Sequence, residues 1–126
     1  MRTEKIKSFT DLTAWKEAHK LVLAIYKVVK TFPKEEKFCL IDQIRRASIS
    51  VSSNIAEGFS RKSDLEKSHF YYQALGSLTE LQNQLLVARD VGYIKEKAFL
   101  ELANQTIVVS KLINSLIRYL KGKNNT

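Results

Sequence analysis

Proline is almost absent from this chain of 126 residues: Pro33 stands alone, and the glycines number four, at positions 58, 76, 92 and 122. So few breakers exclude a fold rich in turns and short strands, and they leave room for long helices. A single cysteine, Cys39, excludes an internal disulfide and any site built from several thiolates. Its apolar neighbours make it an expected small buried hydrophobe in a reducing compartment. No long hydrophobic run is present. The longest, Leu21 to Tyr26, falls far short of a bilayer span, and the residues from Met1 to Ser8 are not followed by the apolar segment and cleavage site of a secretory signal. The expectation is a cytoplasmic protein with no membrane partner.

Histidine is scarce too, with only His19 and His69, so base chemistry at neutral pH has few carriers. No Gly-x-Ser-x-Gly elbow, phosphate-binding loop or Gly-x-Gly-x-x-Gly occurs. Glu66 and His69 have the Glu-x-x-His spacing of di-iron bundles, but those need two copies and two further glutamates. On a helix both residues point away from the apolar stripe, so the pair reads as surface. No catalytic residue, metal or cofactor is expected, and the protein is read as a non-enzyme. Acidic residues are the last shortage: 13 against 21 Lys and Arg leaves a formal charge of +8. Such an excess favours a polyanionic partner such as RNA or DNA, although it also serves solubility.

What the chain does have is apolar spacing of helical period. A first helix is expected over about 11–31, with Thr10 or Asp11 as its cap and Phe32-Pro33 closing it. Trp15, Ala18, Leu21, Val22, Ile25, Val28, Val29 and Phe32 share its inner face. A second, over about 35–60, carries Leu40, Ile44, Ala47, Val51 and Ile55. Ser63 to Glu66 reads as a capping box, opening a third helix over about 64–90 with Gly92 as its stop. Its stripe is Phe70, Ala74, Leu78, Leu81, Leu85 and Ala88. A fourth helix over about 95–120 shows Phe99, Leu102, Val109, Leu112, Ile113, Leu116 and Leu120, after which the tail is expected to fray. The fold class is all-α, a single domain built as an up-down-up-down antiparallel four-helix bundle. Leu65, Tyr72, Leu75, Leu86 and Val87 form a second apolar set on the third helix, more than one core absorbs, and so imply a homo-oligomer.

Two polar groupings stand out. Lys16, Lys20, Lys27 and Lys30 fall within about 80° of arc on the first helix, opposite its apolar face. They read as a phosphate-binding stripe, with Arg2, Lys5, Lys7, Lys121 and Lys123 adding charge at the ends, or as a lysine-rich solvated face without stacking aromatics. On the second helix Arg46, Ser50, Ser53 and Glu57 lie together away from the apolar stripe, beside Gln43 and Asn54. Ser and Asn are poor helix-interior residues, so this seam answers a need beyond helicity. The favoured reading is a hydrogen-bond network between helices or subunits. The other is a polar binding patch.

The run Gln43-Ile-Arg-Arg-Ala47, Ser50, Ser53-Asn-Ile-Ala-Glu-Gly58, then Ala74-Leu-Gly-Ser77 and Glu80, resembles the signature of the four-helix-bundle proteins encoded in intervening sequences of bacterial 23S rRNA genes, also labelled the S23 ribosomal protein family. The opening Leu12-x-x-Trp15, Tyr26 and Pro33 extend the likeness over nearly the whole chain. The resemblance implies a homopentamer and adds Ser77 and Glu80 to the seam. A more distant similarity to the accessory protein of diversity-generating retroelements implies a reverse transcriptase or nucleic acid as partner. The functional expectation is therefore a homo-oligomeric scaffold binding RNA or DNA through basic surfaces. Its alternative is a protein-protein adaptor for a reverse transcriptase or ribosome-associated factor.

Overall fold

The computed structural model describes residues 5–124, so Arg2 of the expected basic end lies outside the described residues. Four long helices, α1 (Thr13–Val28), α2 (Leu40–Ser60), α3 (Asp64–Asp90) and α4 (Glu96–Asn124), enclose one apolar core, and no strand occurs among the described residues. Each helix packs on the next, and α4 returns to α1.

The start of the fold is capped earlier than the sequence pattern placed it. Ser8, not Thr10 or Asp11, is the cap: its hydroxyl accepts from Thr10 N at 3.2 Å, while Asp11 Oδ2 accepts from Ser8 N at 3.1 Å. This reciprocal box closes a 3-10 turn over Phe9–Asp11, from which α1 follows without a side-chain cap. Those backbone donors, first that of Lys7 and then that of Ser8, hold the Asp11 carboxyl below its usual range. Ala14, Ala18, Leu21, Val22 and Ile25 form the buried face of α1. A 3-10 turn over Val29–Thr31 ends the helix, and Pro33 forces Phe32 into extended backbone, ψ 155°.

Between α1 and α2 the structure corrects two expectations. The acids Glu35 and Glu36 sit in a separate 3-10 turn, Lys34–Glu36, and α2 opens only at Leu40. Cys39, expected to be buried, is exposed, as is Phe38 beside it. The reason is backbone: Cys39 has non-helical angles, φ −117° and ψ −105°, which swing it out before the first helical turn. Glu36 ties this junction together, accepting from Leu40 N at 3.3 Å and from the Tyr93 hydroxyl at 2.9 Å. That bond raises the pKa of the Tyr93 phenol, because the proton is held between it and the carboxylate.

The core stripes also shift. On α2 the buried set is Ile41, Ile44, Ala47, Ser48, Val51, Ile55 and Gly58, while Leu40 is only half-buried. On α3 Tyr71 is buried in place of Phe70, which lies half-buried under the Arg61 guanidinium at 4.6 Å. Gly58 explains the exchange: a Cβ there would come within 2.7 Å of Tyr71 Cε1, so the bare backbone makes the space that the ring fills. Gly92, at φ +86°, ends α3, with Tyr93 N donating to Ala88 O at 2.9 Å. On α4 Ile117 joins the buried set, Leu112 and Leu116 flank it, and the helix runs on through Gly122 to Asn124 rather than stopping at Leu120.

Candidate nucleic-acid interface and polar seam

Lys16, Lys20 and Lys27 of α1, and Lys30 of the 3-10 turn that follows it, are all exposed to solvent. They differ in surroundings. Lys20 Nζ pairs with Glu17 at 3.1 Å, and Glu17 also accepts from Gln105 Nε2 of α4 at 3.0 Å. The Gln105 bond first, then the Lys20 bond, holds the Glu17 carboxyl below the usual carboxylate range. Lys20 and Lys27 flank an open groove of about 510 Å³ between α1 and α4. Ala24, Val28, Ala98 and Leu102 give the groove its apolar lining, and Glu101 and Gln105 add its polar α4 side. Lys16 and Lys30 are not part of that lining. The groove is invisible in the lysine spacing. Its only signal is the facing pair of small residues, Ala24 and Ala98.

The seam residues separate into two groups. Ser50, Asn54 and Ser77 come together: Ser50 Oγ lies 2.7 Å from Ser77 Oγ across α2 and α3, and Asn54 Nδ2 donates to Ser50 O at 2.9 Å and to Ser50 Oγ at 3.1 Å. These three partly buried side chains satisfy one another between the helices. Arg46 and Glu57 do not join them. Arg46 pairs with Asp42 at 3.2 Å and Glu57 with Arg61 at 2.6 Å, each one turn along the same helix and each exposed. Such pairs contribute little to stability, about 0.3–0.5 kcal/mol on a helix. Ser53 and Glu80 are exposed, and their side chains make no hydrogen bond among the described residues.

A further inter-helix polar link has little trace in the sequence. Buried Thr106 of α4 donates to Ala103 O at 2.7 Å and accepts from Gln82 Nε2 of α3 at 3.1 Å. Its one signal is a threonine on the inner stripe of α4, between Leu102 and Val109. His19 stacks on Trp15 at 4.7 Å, and His69 Nε2 lies 3.1 Å from Gln73 Nε2. No group of three or more His, Cys, Asp or Glu side chains converges as a metal site among the described residues. No helix in that range is long and apolar enough to cross a membrane.

With α2 and α3 joined through Ser50, Asn54, Ser77 and Gly58, the signature residues have a structural address. The family model of the 23S rRNA-intervening sequence protein matches residues 10–115. The chain belongs to that family. The 23S rRNA-intervening sequence family span takes in the whole lysine stripe and every seam residue, and it stops before Lys121 and Lys123. Among solved structures, the chain is similar to a protein of unknown function from the S23 ribosomal protein family of Bacteroides thetaiotaomicron. The TM-score is 0.77 at 23% identity, covering 83% of this chain and 95% of that one, a likeness of fold. Among curated proteins no match is found.

Proposed function

We propose that this family member is a cytoplasmic, non-enzymatic scaffold, an antiparallel four-helix bundle assembled into a homo-oligomer that binds RNA or DNA through basic surfaces. Paired contacts support the antiparallel course. Ser50 meets Ser77 and Phe59 O meets Lys67, so α3 numbers fall as α2 numbers rise. Gln82 with Thr106 and Arg89 with Phe99 do the same for α3 and α4. Residues of α3 and α4 exposed at Leu86, Val87, Leu100, Ile107 and Val108 support assembly, and the family resemblance of the sequence implies a pentamer.

The observation that carries nucleic-acid binding is the exposed lysine face of α1 on a chain of net charge +8. Phosphates would be met without base reading, so affinity should fall steeply with salt. RNA is the first ligand to test. Replacing Lys16, Lys20, Lys27 and Lys30 together by Glu should weaken RNA binding and flatten its logarithmic salt dependence. The slope should shrink by about 0.9 for each duplex phosphate no longer neutralised, and by about 0.7 for each phosphate of a single strand. Unchanged RNA affinity in that variant sinks the stripe. The α1–α4 groove, apolar at its base, favours a second reading, an adaptor that holds a helix of a reverse transcriptase or ribosome-associated factor. Salt-insensitive capture of such a partner, with no RNA binding, would select it.

A further inference from the structure

At one end of the molecule the close of α2, the first turns of α3 and the last turn of α4 converge. Lys67 Nζ donates to Phe59 O at 2.7 Å, and Lys123 Nζ approaches Asp64 at 3.5 Å. Four cations lie over aromatic rings here: Arg61 on Phe70 at 4.6 Å, Lys67 on Phe59 at 5.3 Å, Lys121 on Tyr72 at 5.9 Å and Lys123 on Tyr119 at 5.5 Å. An open cavity of about 560 Å³ lies beside two of these rings, Phe70 and Tyr72, with Arg61, Leu65, Glu66 and His69 also in its lining. Tyr72 is 49% and Tyr119 66% exposed, and Leu65 stands out at 82%. Exposed apolar side chains gathered at one place, rather than scattered singly, mark an interaction surface.

Two of the acids of this end face cations, and the third, Glu66, is turned toward the α3 cap. Glu57 pairs with Arg61 at 2.6 Å, Glu66 accepts from the Ser63 hydroxyl at 3.2 Å, and Asp64 faces Lys123. Lys62, exposed in the α2–α3 connection, adds a further positive charge. Cations interleaved with open aromatic faces are what a single strand requires: its unstacked bases find rings, and its phosphates find Lys and Arg. A duplex offers phosphates alone, because its bases already stack on one another. Beside the lysine stripe, by contrast, His19 is already stacked on Trp15, and none of Lys16, Lys20, Lys27 and Lys30 lies over a ring among the described residues.

We propose that this end is a binding site for single-stranded nucleic acid, with bases stacking on Tyr72, His69 and Tyr119 and the backbone held by Arg61 and Lys121. The site rests on the nucleic-acid reading above but lies apart from the α1 stripe. It makes the protein a reader of unpaired segments rather than of duplex alone. The cavity volume lies within the range of clefts that hold small ligands, about 300–1,000 Å³, so a splayed base fits it.

The test is fluorescence anisotropy of a short oligouridylate and of an RNA duplex of equal length, both at fixed salt. In the triple variant His69→Ala, Tyr72→Ala, Tyr119→Ala, single-strand affinity should fall by about 100-fold or more, about 5-fold or more for each stacked base lost, while duplex affinity holds. Tyr72→Phe, which keeps the ring, should retain single-strand binding. All three changed residues are exposed, and a far-UV spectrum identical to the parent's confirms that the fold is kept. Equal losses for both ligands, or no loss for the single strand, overturn the proposal. If the α1 Lys→Glu variant loses RNA while the aromatic variant binds normally, the end site fails and the stripe stands. A parent protein that binds neither ligand overturns both.

Discussion

A methyl group at position 58 has nowhere to go: besides Tyr71 Cε1 it would meet Phe70 Cβ at 3.2 Å. Gly58→Ala should therefore push the Tyr71 ring and separate α2 from α3, destabilising by about 1–3 kcal/mol as other overpacked sites do. The measurement is a urea midpoint, and a midpoint equal to the parent's would show that the ring yields freely. The same residue marks where sequence reasoning stops at this scale. Period alone favours Phe70 over Tyr71, since Phe70 sits four residues before Ala74. Only the missing side chain on the facing helix decides which ring goes inside, and that is a tertiary fact. Ser50, Asn54 and Ser77 are legible as polar residues in awkward helical positions. That Arg46 and Glu57 turn outward to Asp42 and Arg61 instead is not, because all the seam candidates of α2 share a face until a partner helix is placed.

Among the elements, the junction of α1 and α2 depends most on a bond distant in sequence. Tyr93, just beyond α3, donates to Glu36, which also caps α2 through Leu40 N. The folded state raises the Tyr93 pKa, so this bond stabilises fully below the unfolded phenol value of about 10 and is lost as pH rises through the higher folded value. Tyr93→Phe should lower the melting temperature at neutral pH, and the gap to the parent should close in strong alkali. A gap constant across that range removes the bond from the account. Glu17 has the opposite sign. Its lowered folded pKa gives stability above the unfolded carboxylate value of about 4.3, lost as pH falls through the folded value. Gln105→Leu should flatten that acid limb. The long helices follow from their 3.6 period and from the scarcity of Pro and Gly. Their ends follow only in part: Ser63 caps α3 and Gly92 stops it where the sequence places them, but elsewhere the caps depend on local competition, Ser8 over Thr10 and Asp11 at the start, and Leu40 over the acids of Lys34–Glu36.

At the scale of the whole molecule, the apolar surplus on α3 and α4 is the surface on which the proposed assembly rests. Leu86 and Ile107 stand half-open beside a shallow groove of about 280 Å³ that Leu85, Phe99 and Ala103 also line. Neither side chain is needed to close the core, which Leu81, Leu85, Val109 and Ile113 already fill on the same helices. Burying the two in a neighbouring copy would remove apolar surface from water at about 25 cal/mol per Å². A charge at either position would have to be desolvated without a partner. Leu86→Asp with Ile107→Asp should therefore leave helicity unchanged and reduce the mass seen by light scattering from an oligomer to one chain of 14.5 kDa. RNA binding should weaken with it, because a protomer presents one lysine face where the proposed assembly would present several. A parent that already scatters as a monomer at micromolar concentration ends the assembly argument. A double variant that stays assembled moves the interface elsewhere, to the exposed Leu23, Tyr26 and Ile49 of α1 and α2.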